Sequence, residues 1–327
     1  LDYLDNTFGN QTYFQLGATA SLEQLERRLV WTVSNFYDQT SIDNLVASTP
    51  DNTQDTNAFS LSAALTIPVS ARHSITVTPS FQDFRYDTSA SDNQQAGIAA
   101  SWGYQLNPTM SLSLSGDFRD VDFDDDTGSP DYESTGLDVG VSVTRARTRY
   151  IASIGATRAE RDTGTETDGV TGSFTWEYDF TARSMIVANL TSDITDSSNL
   201  FLSSSINPNT GTFNNVQTSS DIVRNNDLRI TYTRQGTVVN ARIWAELRDL
   251  DYDTAMIDRE VQELGANISY PFTALLAGSV NANYRRTKDT SSMTTDKEYL
   301  VTGTLNYGLS RKLSVNLGLQ VQSKDST

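Results

Sequence analysis

The sequence predicts an all-β protein, a transmembrane up-and-down antiparallel β-barrel with about 16 recognisable strands. Two observations predict this fold class. Apolar and polar residues alternate at every second position along most of the chain, and the links between the alternating segments switch regularly between short and long. Residues 1–327 therefore form a single domain, with a terminal strand expected to be missing at each end and about 16–18 strands in the full protein.

The alternation is clearest at 170–180, where one face carries Val, Gly, Phe, Trp, Tyr and Phe and the other Thr, Ser, Thr, Glu and Asp. Successive side chains of a strand point to opposite faces, so this segment has one apolar and one polar face. The best helical candidate, around Ser21–Arg28, spans one or two turns at most. In order, the pattern predicts strands at 12–20, 27–37, 57–68, 72–86, 94–104, 109–122, 132–145, 147–161, 168–180, 183–193, 222–233, 237–250, 259–270, 274–287, 297–308 and 312–323.

These segments are long enough to cross a bilayer, which takes ~9–11 residues of a tilted strand. Short links near Pro68–Ala71 and Arg145–Ala146 alternate with long ones such as Asp38–Thr56 and Asp193–Ser220. Such alternation is typical of membrane barrels with short turns on one side and long loops on the other. Barrels of about 16 strands enclose a lumen too wide for side chains to fill, so the apolar face is expected to contact lipid.

The first strand runs toward the short-turn side and the last toward the long-loop side, whereas such barrels usually start and end on the short-turn side. This topology is the reason for expecting a further strand at each end. The alternative is that Ser21–Leu25 forms an irregular outer loop and the first strand is misplaced.

Composition excludes several functions. A net charge of −17 argues against nucleic acid binding. The absence of Cys and the presence of one His exclude thiolate and multi-histidine metal sites. His73 could be the base of a barrel hydrolase, but it follows a short turn in phase with Ile75 and Val77, which predicts a residue at the membrane interface. We expect no cofactor and no enzymatic activity.

Aromatic residues gather near both strand ends, which predicts the girdles that mark the two interfaces of a membrane barrel. The alternative is the general preference of aromatic residues for strands. The band near the short turns comprises Tyr104, Tyr178, Phe180, Tyr232, Tyr270 and Tyr307, with Phe272 beside it, and the band near the long loops comprises Phe36, Tyr37, Phe81, Phe84, Phe118 and Tyr284.

Charged residues of both signs fall in phase with the polar face and are predicted to line the lumen. Such residues set the field inside a pore; the alternative is that they form cross-strand pairs along a wet wall. No ladder of one sign occurs, which argues against strong ion selectivity. The predicted lumen residues are Asp117, Arg119, Glu177, Asp179, Arg229, Arg242, Glu246, Arg248, Glu263 and Arg285.

The densest acidic run offers a candidate calcium site at Asp120, Asp122, Asp124 and Asp126. Hard carboxylate oxygens are the ligands that calcium prefers. The run lacks the Gly and Glu that complete an EF-hand loop, so the alternative is a solvated acidic loop.

The chain resembles Gram-negative outer-membrane β-barrels over its full length. Within that class, Arg28–Thr40 and Tyr307–Val315 are similar to phrases in the barrels associated with exosortase (PEP-CTERM) systems. That resemblance implies a bacterial outer-membrane location, contact with membrane lipid and lipopolysaccharide, and a link to exopolysaccharide.

The predicted function is a porin-like channel that provides a wide polar conduit, including one for exopolysaccharide export. The alternative is a structural or interaction barrel whose loops or lumen bind a partner protein or surface component. A plugged lumen would point to the long link Asp193–Ser220.

Overall fold

The computed structural model describes residues 16–26, 28–42, 53–88, 91–124, 130–196, 198–200, 221–253, 258–273, 275–290, 294–310 and 313–326. Its 16 strands form one sheet in which each pairs antiparallel with its neighbours in sequence. The strands are β1 (Leu16–Gln24), β2 (Leu29–Ser41), β3 (Thr53–Pro68), β4 (His73–Tyr86), β5 (Asn93–Asn107), β6 (Met110–Phe123), β7 (Tyr132–Thr144), β8 (Thr148–Arg161), β9 (Glu166–Thr181), β10 (Ser184–Asp196), β11 (Ile222–Gln235), β12 (Asn240–Tyr252), β13 (Arg259–Pro271), β14 (Leu276–Asp289), β15 (Thr295–Ser310) and β16 (Leu313–Ser326).

The predicted all-β class and strand order are confirmed, and the main difference lies at β1. The β1–β2 ladder continues through Leu22 opposite Trp31 to Gln24 opposite Leu29, where a short link containing one or two helical turns was predicted and an irregular outer loop was the alternative. Leu25 and Glu26 then turn with φ of 50° and 55°. Two successive residues with positive φ match the tight turns that join twisted strands, so the first link is a short turn.

The links sort by length onto the two ends of the sheet. Residues 69–72 and 182–183 are short turns, whereas residues 87–92 and 197–221 are long links. The short turns close through main-chain hydrogen bonds, as from Val69 N–H to the His73 carbonyl at 2.9 Å. We call the two ends the turn end and the loop end.

The apolar face of the sheet points outward. Leu137, Ile154 and Val170 are 59%, 66% and 69% exposed, while the residues between such positions are polar and face the interior. An exposed apolar wall is stable only against lipid. No helix among the described residues is long and apolar enough to span a membrane.

The sheet curves around a lumen, because strands that are distant in the sheet order contact each other. The Tyr132 hydroxyl of β7 donates to Asp196 of β10 at 2.5 Å, and the Tyr86 hydroxyl of β4 lies 3.0 Å from that of Ser198. The described strands thus make an up-and-down antiparallel barrel wall. The expectation of a further strand at each end stays a prediction.

The two faces of β8 give a direct test of this arrangement. Ile154→Arg places a charge on the lipid face near mid-strand and is expected to lower the free energy of unfolding by about 2–4 kcal/mol. Ser153→Arg faces the lumen and removes one hydroxyl contact, to Ser173 at 2.8 Å, which predicts a loss of only about 1 kcal/mol. Denaturant titration of protein folded into lipid vesicles measures both; equal losses would contradict the assignment of the faces.

Candidate functional site

The residues predicted to line the lumen lie on β6, β9 and β11–β14, on the polar side of each strand. The structure separates them into groups. Those on β11–β14, apart from Arg242, meet in one cluster, whereas Asp117 and Arg119 lie on β6 and Glu177 and Asp179 on β9. Their role in transport stays a prediction.

Charged side chains form a row across β11–β15 at one level of the wall. In the ladders, Arg229, Glu246, Glu263, Arg285 and Glu298 lie successively opposite one another. Arg229 Nη1 lies 3.2 Å from Glu246 Oε2, and Arg285 Nη2 lies 3.2 Å from Glu263 Oε2. We call these residues the charged row. Glu298 was not predicted, because only the strand register places it beside Arg285.

Arg248 extends the charged row toward the loop end. Its Nη2 lies 2.6 Å from Glu246 Oε1, and its Nε lies 3.6 Å from Asp227 Oδ1. Glu246 is therefore held by Arg229 and Arg248 together. Because both signs are interleaved, the row resembles the cross-strand pairing that was the alternative to a pore of one sign.

Trp244 is packed into the charged row and is only 2% exposed. Its indole N–H donates to Glu263 Oε1 at 3.0 Å, and the Arg229 guanidinium lies 5.8 Å from its ring centroid. Gly265 makes room for the ring, since a Cβ at that position would overlap Trp244. The tryptophan thus orients both the carboxylate and the cation, a role that sequence alternation did not indicate.

The other predicted lumen residues make fewer contacts. Arg119 Nη1 lies 3.8 Å from Asp196 Oδ2, and Glu177 Oε1 lies 3.8 Å from Arg149 Nη1. Asp179 is exposed near the turn end. Arg242 is on β12, in phase with Trp244.

The loop end of the lumen is crossed by the hairpin of β10 and β11. Beyond Asp196, the Ser198 hydroxyl accepts a hydrogen bond from Asn93 Nδ2 at 3.0 Å. Asn199 Nδ2 donates to Gln95 Oε1 at 2.9 Å. On the return side, Arg161 Nη2 lies 2.8 Å from Asp221 Oδ1. Polar contacts therefore tie the hairpin to β5 and β8 on the surrounding wall.

Two apolar clusters complete the crossing. Leu200 is 7% exposed within the first, and Ile194 and Ile222 pack in the second. The first cluster joins Leu200 to Ala58, Phe84, Tyr86, Val223 and Leu250, and Phe36 and Tyr252 pack against it. The second cluster joins Val121, Phe123, Tyr132, Ala159 and Ile222. Side chains from β3, β4, β11 and β12 meet in the first cluster, so parts of the wall that are distant in the sheet contact each other across the loop end of the lumen.

This apolar filling was missed, although the sequence contains a signal for it. Along β6, Leu114 and Phe118 point outward, but beyond Arg119 the phase inverts and Val121 and Phe123 point inward. The inversion marks where the strand leaves the membrane and its inner face starts to pack. Phe84 and Phe36, predicted in the outer aromatic band, are corrected accordingly: they pack inside the lumen.

The aromatic band near the turn end forms contacting rings. Tyr178 and Phe180 meet edge to face at 5.0 Å, and Phe180 lies 6.4 Å from Tyr232. Tyr270 lies 5.0 Å from Phe272, and Tyr104 stacks on His73 at 4.6 Å. Amphipathic rings in such a band suit the lipid–water interface. Tyr307 lies on β15 in phase with outward Val301 and Leu305.

The three described residues of the candidate calcium site, Asp120, Asp122 and Asp124, do not form a ligand set. Asp120 and Asp122 lie on β6, Asp124 pairs with Arg85, and Asp126 lies outside the described residues. Within the described ranges, no group of three or more His, Asp or Glu side chains could hold a metal ion.

No protein-family model matches the sequence, and no curated protein matches it. Solved structures share its fold. The FrpB iron transporter of Neisseria meningitidis (F3-3 variant) is 10% identical with a TM-score of 0.56, over 95% of this chain and 64% of that chain. The F5-1 variant of FrpB is 9% identical with a TM-score of 0.57, over 95% of this chain and 65% of that chain. The copper transporter OprC is 12% identical with a TM-score of 0.51, over 95% of this chain and 62% of that chain. The chain spans less than two thirds of their length.

These comparisons establish the fold and the location: the chain is a bacterial outer-membrane β-barrel, and its apolar face contacts membrane lipid. They correct the predicted function. The structures that share the fold are described as iron and copper transporters, so the prediction of a porin-like or exopolysaccharide conduit is wrong. The crossed loop end is the physical reason, since a passive conduit needs a continuous aqueous lumen.

The resemblance to exosortase-associated barrels is likewise not supported. Its main phrase, Arg28–Thr40, lies largely on β2, where Trp31 sits between Leu22 and Ala63 of the neighbouring strands. The phrase thus serves as ordinary barrel wall.

Glu263→Ala tests the charged row. It leaves the Trp244 indole N–H without its acceptor and removes the carboxylate that Arg285 Nη2 contacts inside the wall, and we expect it to lower the free energy of unfolding by about 3 kcal/mol. Glu177→Ala removes an exposed pair on the same wall, and we expect a loss within about 1 kcal/mol. Denaturant titration in lipid vesicles measures both, and a small loss for Glu263→Ala would show that the row is hydrated and loose.

Proposed function

We propose that this outer-membrane barrel transports a specific metal-bearing cargo, a transition-metal ion or its complex, across the outer membrane. The side-chain packing across the loop end of the lumen carries the proposal. Leu200, Phe84 and Val223 pack together there, so side chains narrow the lumen at that end. Selective passage requires such an obstruction, because an open lumen of this width admits small solutes indiscriminately.

The choice of a metal cargo is supported by the solved structures that share the fold, the iron transporter FrpB and the copper transporter OprC. Their sequence identity to this chain is low, so the cargo is our inference for this protein.

The charge of the loop end also favours a cation. The chain has a formal net charge of −17, and many of its carboxylates lie in or beside the long links. These include Asp87, Asp92, Asp124, Asp131, Asp162, Asp253 and Asp258. A concentration of one sign around an entrance raises the local concentration of the opposite ion and its rate of arrival.

Inside the lumen, the charged row supplies carboxylates that are already balanced. Glu246 and Glu263 are adjacent but each is held by arginine. Passage requires that a cargo bind well enough to enter and weakly enough to leave. Carboxylates that are paired with arginine bind a cation weakly enough to release it, whereas an acidic cluster without arginine would retain the cation.

Uptake of radiolabelled iron and copper by cells lacking the protein tests the proposal. We expect accumulation of one metal to fall in the deletion strain and to return with the wild-type protein. Equal accumulation in both strains, for both metals supplied free or as complexes, would contradict the proposal.

A double variant tests whether the cargo passes through the lumen. E246Q/E263Q removes two inner carboxylates and is expected to lower uptake per folded barrel by about tenfold, equivalent to about 1.4 kcal/mol of lost interaction. E160Q/E166Q is the matched control, because Glu160 and Glu166 both pair with Arg158 on the exposed outer rim. Equal uptake by the two variants would place the path elsewhere.

A further inference from the structure

Arginine is concentrated at the turn end of the barrel, on the side formed by β7–β12. Arg145 and Arg147 lie in the turn between β7 and β8, Arg183 lies in the turn between β9 and β10, and Arg234 lies near the end of β11. All four side chains are exposed. This part of the turn end therefore has a local excess of positive charge, although the whole chain has a net charge of −17.

These four arginines have no carboxylate partner. Within the described ranges, none of them forms an ion pair. The carboxylates at this level are Glu177 and Asp179, which alternate with the outward aromatic residues of β9 and so take the lumen face. Glu177 also lies 3.8 Å from Arg149. The outer surface of this turn end thus presents guanidinium groups that no described carboxylate neutralises.

A row of aromatic rings lies beside these arginines, on the lipid-facing side of the wall. Between ring centroids, Trp176 is 6.1 Å from Tyr178, Tyr178 is 5.0 Å from Phe180, and Phe180 is 6.4 Å from Tyr232. We call these four residues the aromatic row. Rings of this kind lie at the level of the lipid headgroups, so the row marks the depth at which the arginines meet the membrane surface.

Arg234 continues the lipid-facing side of β11. It follows Ile230 and Tyr232 at every second position, and Ile230 is 42% exposed. In the ladder it lies opposite Ser184, whose hydroxyl lies 3.0 Å from the Thr181 hydroxyl. Residues directly opposite each other in a ladder share one face. A guanidinium group and a pair of hydroxyl groups therefore lie together on the outside of the turn end.

Arg183 and Arg145 extend this surface along the membrane plane. Arg183 lies in the turn beside Ser184, and its main-chain carbonyl accepts a hydrogen bond from the Gln235 N–H at 2.7 Å. Arg145 follows Val143 in the outward alternation of β7. The cations are thus spread along the turn side of the aromatic row.

We propose that this surface binds an anionic glycerophospholipid. The lipid phosphate is held by Arg183 and Arg234 and by the Ser184 hydroxyl, and the upper acyl chains lie against Phe180 and Tyr232. A guanidinium group recognises phosphate through paired N–H donors. The short turns of outer-membrane barrels face the periplasm, and the leaflet on that side consists of glycerophospholipid.

The surplus of cations favours lipid with a net negative charge over zwitterionic lipid. Arg145 and Arg147 add positive charge beside the phosphate, and clustered basic residues at a membrane surface attract anionic headgroups. The ammonium group of a zwitterionic lipid would instead lie close to these guanidinium groups.

Quenching of Trp176 fluorescence by brominated lipid measures the preference at this surface. W31F/W102F removes the other two outward tryptophans of the four in the chain. The fourth, Trp244, is only 2% exposed and lies in the charged row, away from lipid, so quenching reports Trp176. Vesicles of phosphatidylcholine carry either dibrominated phosphatidylglycerol or dibrominated phosphatidylcholine, and the ratio of quenching gives the relative affinity of the two lipids.

We expect the W31F/W102F protein to prefer phosphatidylglycerol, and R183Q/R234Q in that background to lower the preference by about fivefold for each arginine removed. R183K/R234K keeps the charge and is expected to keep most of the preference. R28Q/R72Q is the matched control, because Arg28 and Arg72 are exposed arginines in the turns between β1 and β2 and between β3 and β4. It is expected to leave the preference unchanged, since charges more than about 10 Å away are screened.

The proposal is overturned if R183Q/R234Q keeps the full preference, or if R28Q/R72Q loses as much of it. Equal quenching by the two lipids before any arginine is replaced also overturns it, and the arginines would then fit an acidic soluble partner. The circular dichroism of each variant in the vesicles shows whether the β-sheet has formed. No metal is present in this experiment, so its outcome is independent of the proposed metal transport.

Discussion

A strand inside a bilayer has no water with which to pair its backbone N–H and C=O groups, so a neighbouring strand must supply every partner. The rest of the structure depends on this constraint. It holds the strands in sequential antiparallel order and sends the apolar side chains, such as Ile154 and Val170, outward. It also makes the early end of the β9–β10 ladder stand out, since β10 pairs with β9 only as far as Ser192 opposite Gly172. A ladder can end early only where other groups take over its polar atoms, and Arg224 does so for Asp168.

The lumen changes character along its length. In the membrane region, its wall carries serine, threonine and the charged row, where Glu263 binds both Trp244 and Arg285. At the loop end, the inward positions become apolar, and Phe84 and Leu200 pack across the lumen. The lumen therefore changes from a polar wall in the membrane region to apolar packing at its loop end.

Most of the barrel wall could be predicted from the sequence, because the alternation of apolar and polar residues and the lengths of the links are local properties of the chain. The turn at Leu25 and Glu26 did not, since two non-glycine residues with positive φ are uncommon. Pairing with β2 decides that turn. Glu298 and Trp244 belong to the charged row only through register, which relates β15 to β14 and β12 to β13. The candidate calcium residues alternate along one short acidic run, whereas the pairing of Asp124 with Arg85 joins two strands and depends on the tertiary structure.

By itself, the sequence determined the all-β class, the order and faces of the strands, the two unequal ends and the outer-membrane environment, because each depends on side chains two residues apart or on link lengths. The tertiary structure alone decided that packed side chains cross the loop end. That packing joins Leu200 to Ala58 and Leu250, residues far apart in the chain that meet only once the sheet curves. The physical reason is that alternation specifies which face a side chain takes, whereas its partner across the lumen depends on how the whole sheet curves.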